Sequence, residues 1–220
     1  MTRRVKRKAQ GKQQTYPIKD QRQIDNIINY LKKKVEVAEK RNQPKRLFQA
    51  RRNLMMIRLG FNTAFRAEDL LQLFVGDIEN GYITIRENKT NKVQNFKMNK
   101  RIYALVKEYI DIQGLTSSDY LFPSQRHDGI IRCISRQQAD RIIKDIKKNC
   151  NIHTVFGMHS LRKTFGYQYY ANGGNLLTLQ KMYNHEDASV TLIYIMWDKN
   201  DMEKAREEVY IGESKKVTKR

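Results

Sequence analysis

The chain has 220 residues, 40% of them hydrophobic, and carries 43 lysines and arginines against 23 acids, a formal net charge of +20. That size and apolar content suit one folded domain with polar ends, and such a charge excess is the footprint of a polyanionic partner, with nucleic acid first and ribosomal, DNA-packing or membrane-surface roles carrying similar charge. No apolar run approaches the roughly 20 residues that span a bilayer, and the opening MTRRVKRKAQGK has no apolar stretch behind its charges, so neither an anchor nor a secretory leader is expected.

Residues 1–19 read as a basic flexible arm, with Arg3, Arg4, Lys6, Arg7 and Lys8 as candidate contacts to DNA phosphates, and 211–220 as a basic tail. Asp20 followed by Gln23 resembles a capping box, and Ile24, Ile27, Ile28 and Leu31 behind it fall at helical spacing. Leu47, Phe48, Leu54, Met55, Ile57 and Leu59 predict a second helix, which Gly60 is suited to end. A short third helix is expected from about Arg66 to Phe74. Between 75 and 98 the period changes: Asn80-Gly81 signals a two-residue hairpin, YITIR alternates, and KTNK separates it from VQNFKM.

Helical spacing returns with Ile102, Leu105, Val106 and Ile110, then with Ile142, Ile143 and Ile146, then in HSLRKTFGYQYYANGG, and in a last helix near 200–210. The expected class is mainly α with a small three-stranded antiparallel sheet. Cys133 and Cys150 lack CxxC spacing and a histidine cluster, which leaves no case for structural zinc or a disulfide framework.

Within HSLRKTF, His159 and Arg162 lie three residues apart and share a helix face, so both can reach one anion; His185 follows, and Tyr194 stands nine residues after it. Upstream, TAFRAEDLLQL places Arg66 at a helix start with Asp69 three residues on, and the KTNK turn carries Lys89 and Lys92. The order arginine, hairpin lysine, His-x-x-Arg, histidine, tyrosine resembles the tyrosine recombinase (phage integrase) family over about residues 20–210. At residues 183–185 the chain has YNH where the family usually shows leucine-glycine-histidine, a departure at the turn.

The resemblance implies the family's catalytic-domain fold over 20–210 and a site-specific recombinase or integrase that cleaves and rejoins DNA through a 3′-phosphotyrosine. It implies Tyr194 as nucleophile, Lys89 as acid for the leaving oxygen, His159 as assistant to phenol deprotonation, His185 as a phosphate hydrogen-bond donor, and Asp69 as support for Arg66. The chemistry asks for these types on its own terms. A tyrosine ester keeps the energy of the cut bond, and two guanidinium forks neutralise the charge that builds on the phosphate oxygens. No cofactor and no metal are expected.

Alternatives stay open at this stage. Tyr167, Tyr169, Tyr170 and Tyr183 are rival tyrosines, and Lys92 and Lys97 share the hairpin with Lys89. A non-catalytic DNA-binding protein of the same fold, or a type IB topoisomerase-like enzyme, would fit much of the pattern. Larger family members carry a separate core-binding domain, and none is expected among the residues ahead of Arg66. Expected partners are double-stranded DNA, further copies in a synaptic tetramer, and accessory DNA-binding proteins, in a prokaryotic, phage or mobile-element cytoplasmic setting.

Overall fold

The structure, a computed structural model, describes residues 14–86, 93–124, 132–209 and 211–212. Among these, helices α1 (Gln21–Lys40), α2 (Pro44–Asn62) and α3 (Ala67–Leu71) precede a sheet of β1 (Ile78–Glu79), β2 (Tyr82–Arg86) and β3 (Val93–Lys97). Then come α4 (Lys100–Gln113), α5 (Arg136–Asn149), α6 (Met158–Ala171), α7 (Leu176–Tyr183), α8 (Ala188–Ile195) and α9 (Lys199–Glu207). The mainly helical class with one small antiparallel sheet is as the sequence leads one to expect.

Asp20 caps α1 by accepting from the Arg22 amide at 2.9 Å, and Ile27 and Leu31 bury the apolar stripe. Helix α2 starts with Pro44 in its first turn, where the missing N–H costs nothing. Gly60 does not end this helix: it lies inside α2 and is buried, and a Cβ there would stand 2.7 Å from Leu161 Cδ1 of α6. Its smallness serves helix-to-helix approach, not a left-handed cap. Helix α3 is shorter than the spacing predicts, because the Leu73 carbonyl accepts from the Leu121 amide at 2.7 Å and Phe74 is extended, bridging to Tyr120.

In the sheet, strands run in the order β1-β2-β3, with Glu79 opposite Tyr82 across the Asn80-Gly81 turn. Both turn residues have positive φ, 49° and 85°, as a type I′ hairpin needs and as Asn-Gly supplies. Ile83 and Ile85 point into the core while Tyr82, Thr84 and Arg86 face out.

Helices α7 and α8 have no counterpart in the sequence reading. Each is eight residues long, and ASVTLIYI of α8 holds Val190, Thr191, Ile193 and Ile195, β-branched residues of modest helix propensity. Local caps compensate: Asp187 accepts from the Ser189 amide, Asn175 from Thr178, and Asn184 and Met196 close the helices in left-handed backbone.

Two apolar clusters result. The larger unites α1 to α6 and the sheet around Ile27, Met56, Ile57, Leu59, Ile83 and Phe122. The smaller is aromatic and joins α6, α7 and α8 through Tyr167, Leu179, Tyr183 and Ile195, with Tyr194 and Trp197 packed against it. Trp197 meets Tyr170 edge-on at 4.7 Å, a packing role.

The basic arm, read as flexible to residue 19, is tied to the body of the chain from Thr15 to Lys19. Pro17 and Ile18 are buried, and this strap is tied to α6 and α9: Ile18 N donates to Thr164 Oγ1 at 2.8 Å, and Lys19 pairs with Asp198 and Asp201 at 2.8 and 2.6 Å. The backbone is held because its polar groups find partners that a free arm would leave to water. Arg3, Arg4, Lys6, Arg7 and Lys8 lie outside the described residues.

Candidate active site

Helix α6 carries His159 and Arg162 one turn apart. Arg162 is 5% exposed and its Nη2 donates to the Tyr183 carbonyl at 3.0 Å, with the guanidinium 4.5 Å from the Tyr183 ring centroid. The approach of α7 and α8 is set by Gly166, where a Cβ would fall on the Tyr183 hydroxyl and 2.8 Å from Ile195 Cγ2. His159 is half-buried on the same helix, and its place beside Arg162 rests on that helical register.

Arg66 is the N-cap residue of α3, and its Nη1 lies 3.9 Å from Asp69 Oδ2, a buried carboxylate. At that distance the pair is an ion pair and not a hydrogen bond.

His185 follows the turn at Asn184. Its Nδ1 is 3.0 Å from Thr191 Oγ1, and its ring meets those of Tyr183 and Tyr194 at 5.3 Å each. Burial, then the positive charges of Arg162 and Arg66, push the imidazole below its ordinary range. Near neutral pH it is therefore uncharged, with one N–H to give.

Tyr194, on α8, sits edge-on to Tyr183 at 5.2 Å. Burial raises its phenol above the usual range, while the charges of Arg162 and Arg66 and a side-chain hydrogen bond with Arg162 pull the other way. Both arginines thus act on the same phenol and the same imidazole, so the structure brings Arg66, Arg162, His185 and Tyr194 into one cluster.

The rival tyrosines are engaged elsewhere. Tyr183 is fully buried and donates to the Arg162 carbonyl at 2.5 Å, and Tyr167 donates to Asp201 at 2.7 Å. Tyr169 stacks on Phe165, and Tyr170 packs on Trp197.

Lys89 and Lys92 lie outside the described residues. The strands on either side of them, β2 and β3, border a cavity of about 310 Å³ lined by Asp69, Ile85, Gln94, Asn95, Lys97 and Arg162. Lys97, the third lysine of the hairpin, has its Nζ 5.6 Å from the Tyr82 ring centroid. Among the described residues, no three His, Cys, Asp or Glu side chains gather as a metal site would need, and no helix is long and apolar enough to cross a membrane.

Sequence reasoning missed three contributors. Thr191, fully buried, sets the His185 ring; Tyr183, noticed only as a rival, scaffolds Arg162; Lys163 lies against the Tyr194 ring. The spacing of six between His185 and Thr191 carries no signal by itself, because the turn at Asp187 that brings them together is irregular.

Comparison with known proteins bears on the family and the fold. The model of the phage integrase family matches residues 19–201. A probable integrase/recombinase, YoeC, of Bacillus subtilis strain 168 is 32% identical over 163 residues, 74% of this chain and 86% of that protein. Tyrosine recombinase XerD of Halalkalibacterium halodurans is 30% identical over 149 residues, 65% of this chain and 48% of that protein, so the chain spans about half the length of that relative. Among solved structures, XerA recombinase superposes with a TM-score of 0.66 at 19% identity, over 92% of this chain and 67% of that one. XerH site-specific recombinase, in a post-cleavage complex with its palindromic difH substrate, gives 0.64 at 21% identity, over 89% and 54%. These structural likenesses concern the fold.

Proposed function

The chain belongs to the phage integrase family, and from that premise we propose that it is a site-specific DNA recombinase which cuts and rejoins strands through a 3′-phosphotyrosyl bond to Tyr194. The observation that carries the proposal is the Tyr194 phenol standing beside the His185 ring at 5.3 Å, with the charges of Arg162 and Arg66 felt by both groups. A tyrosine that only packs has no need of a guanidinium bonded to it and a second positive charge acting on it. A backbone phosphate placed there completes the charge balance.

In that complex the phenol oxygen attacks phosphorus and the P–O5′ bond breaks. His159 takes the phenol proton, Lys89 gives a proton to the departing 5′-oxygen, and the DNA 5′-hydroxyl that forms can later attack the phosphotyrosine to rejoin a strand. Bidentate guanidinium contacts balance the charge on the non-bridging oxygens. His185 donates its N–H to one of them, with Thr191 holding the ring, and Asp69 keeps Arg66 at the edge of the site. One ester is exchanged for another, so no high-energy cofactor enters the balance.

The +20 charge suits a duplex partner, and recombination requires copies of the chain to meet on paired sites, which makes a synaptic assembly on DNA part of the proposal. The structural neighbour Tn1549 transposon integrase is itself in complex with a circular intermediate DNA, which supports the DNA partner.

The test uses a duplex selected by this protein from a random-sequence library, nicked so that the cut fragment diffuses away. A covalent protein–DNA band on a denaturing gel is the expected result. A protein that binds this duplex without forming the band is a binder of the same fold. Relaxation of supercoiled plasmid lacking the selected site would point to a topoisomerase.

A further inference from the structure

Lys163, next to Arg162 on α6, is 5% exposed, and burial lowers its tendency to hold a proton. Among the described residues no carboxylate lies within ion-pair distance of it. Its Nζ donates to the Thr15 carbonyl of the strap at 2.8 Å, and stands 5.1 Å from the centroid of the Tyr194 ring. An ammonium withdrawn from water without a counter-charge is expensive, and an apolar side chain of the same length would fill the space more cheaply. The charged head therefore needs a return beyond packing.

Two contacts supply it. The ring face of a tyrosine attracts a desolvated cation, and the Thr15 carbonyl fixes where the cation sits. The Tyr194 ring is otherwise held edge-on by Tyr183 and His185, on a short helix whose Val190 and Ile193 are 46% and 70% exposed. Helix α8 is thus lightly anchored on its outer side. Resting on the reading of Tyr194 as nucleophile, we infer that Lys163 is a positioning residue: clamped by the Thr15 carbonyl, its ammonium holds the Tyr194 ring in the attack orientation. Docking of the strap and alignment of the nucleophile are thereby one event.

The strap has further ties that make this coupling effective. Tyr16 N donates to the Val155 carbonyl at 2.9 Å, Gln168 Nε2 to the Lys19 carbonyl at 2.9 Å, and Ile18 N to Thr164 Oγ1 at 2.8 Å. These hold the strap just C-terminal to Thr15 and join it to the chain before and after Lys163, so the carbonyl that receives the ammonium is tethered from that side.

Three full-length variants test the inference in single-turnover formation of the covalent adduct on the nicked, selected duplex, at a temperature where each is folded by circular dichroism. Lys163→Gln keeps a donor for the Thr15 carbonyl but loses the charge. Lys163→Met keeps only the stem, and Lys163→Arg keeps charge, donor and ring contact. Lys163→Gln and Lys163→Met should slow adduct formation about tenfold or more, the scale of a desolvated cation–ring contact. The DNA concentration giving half-maximal rate should stay unchanged, and Lys163→Arg should recover most of the loss. Should Lys163→Met fail to fold, the comparison of Gln with Arg decides. A wild-type rate in Lys163→Gln, or an equal loss in Lys163→Arg, overturns the inference while leaving Tyr194 as nucleophile. Absence of any adduct from the wild-type protein overturns the recombinase reading and this inference with it.

Discussion

Arg162 and Tyr183 are bound to each other twice. The guanidinium donates to the Tyr183 carbonyl at 3.0 Å, the Tyr183 hydroxyl donates to the Arg162 carbonyl at 2.5 Å, and the guanidinium lies over the ring at 4.5 Å. A side chain of α6 and one of α7 thus fix each other's backbones, and the charge of Arg162 is delivered to a set place. The tyrosine that does this is withdrawn from chemistry by the same bonds.

Substituting the two tyrosines separates these roles. Tyr194→Phe should bind the selected duplex normally and give no covalent adduct. Tyr183→Phe should still form the adduct, with stability lowered by about 1 kcal/mol for the missing hydroxyl bond. Denaturing gels and urea titrations read the two effects, and an adduct from Tyr194→Phe would transfer the nucleophile to another residue.

Arg66→Lys and Arg162→Lys retain charge but lose the planar fork, so cleavage should slow by about two orders of magnitude or more, with DNA affinity little altered. Cleavage by the wild-type protein should persist in excess EDTA, because the proposed charge balance is carried by guanidinium groups. A strict magnesium requirement for strand cutting would contradict the scheme.

His185 titrates below its ordinary range in the folded chain, owing to burial and the two arginines. Between that lowered value and about 6.5, the unfolded chain binds the proton that the folded chain excludes, so stability falls as pH drops through this window and is fully present above it. Urea midpoints measured from pH 7.5 to 5.5 should decline in the wild type, and the decline should be shallower in His185→Gln. Parallel curves would remove His185 as the source.

Gly166→Ala places a methyl on the Tyr183 hydroxyl and against Ile195. Overpacking of this kind costs about 1–3 kcal/mol, and here it also pries α7 and α8 from α6. Adduct formation should fall further than the stability loss alone accounts for, since the displaced groups hold Arg162 and Tyr194. Single-turnover rates measured well below the melting temperature check this.

Deleting residues 1–13 removes Arg3, Arg4, Lys6, Arg7, Lys8 and Lys12 but spares the strap from Thr15 onward. Affinity for the selected duplex should drop, and the slope of log affinity against log salt should flatten by about 0.9 for each phosphate that the arm no longer neutralises. Adduct formation at saturating protein should be unaffected. An unchanged slope would show the arm to be a passive tail.

Much of this protein was legible in its residues. The +20 charge pointed to a polyanionic partner, Asn80-Gly81 and the alternating YITIR named a hairpin, and the ordered set Arg66, His159, Arg162, His185 and Tyr194 named the family. Such features are local or ordinal: turn chemistry acts over two residues, amphipathic period over a few turns, and a motif is a matter of order along the chain. Helices α7 and α8 were not legible, since each is only eight residues long, α8 is rich in β-branched side chains, and both owe their form to caps and to the aromatic cluster they share. Gly60, read as a helix end, and Gly166, within a predicted helix, both prove to be points of helix contact, because what a glycine permits depends on the neighbour that approaches it. The fate of each tyrosine, the seat of the Lys163 ammonium and the strap that receives it were decided only by tertiary packing: burial, ring geometry and ion placement are set between segments as far apart as Thr15 and Lys163, at a separation where no periodicity or propensity can act.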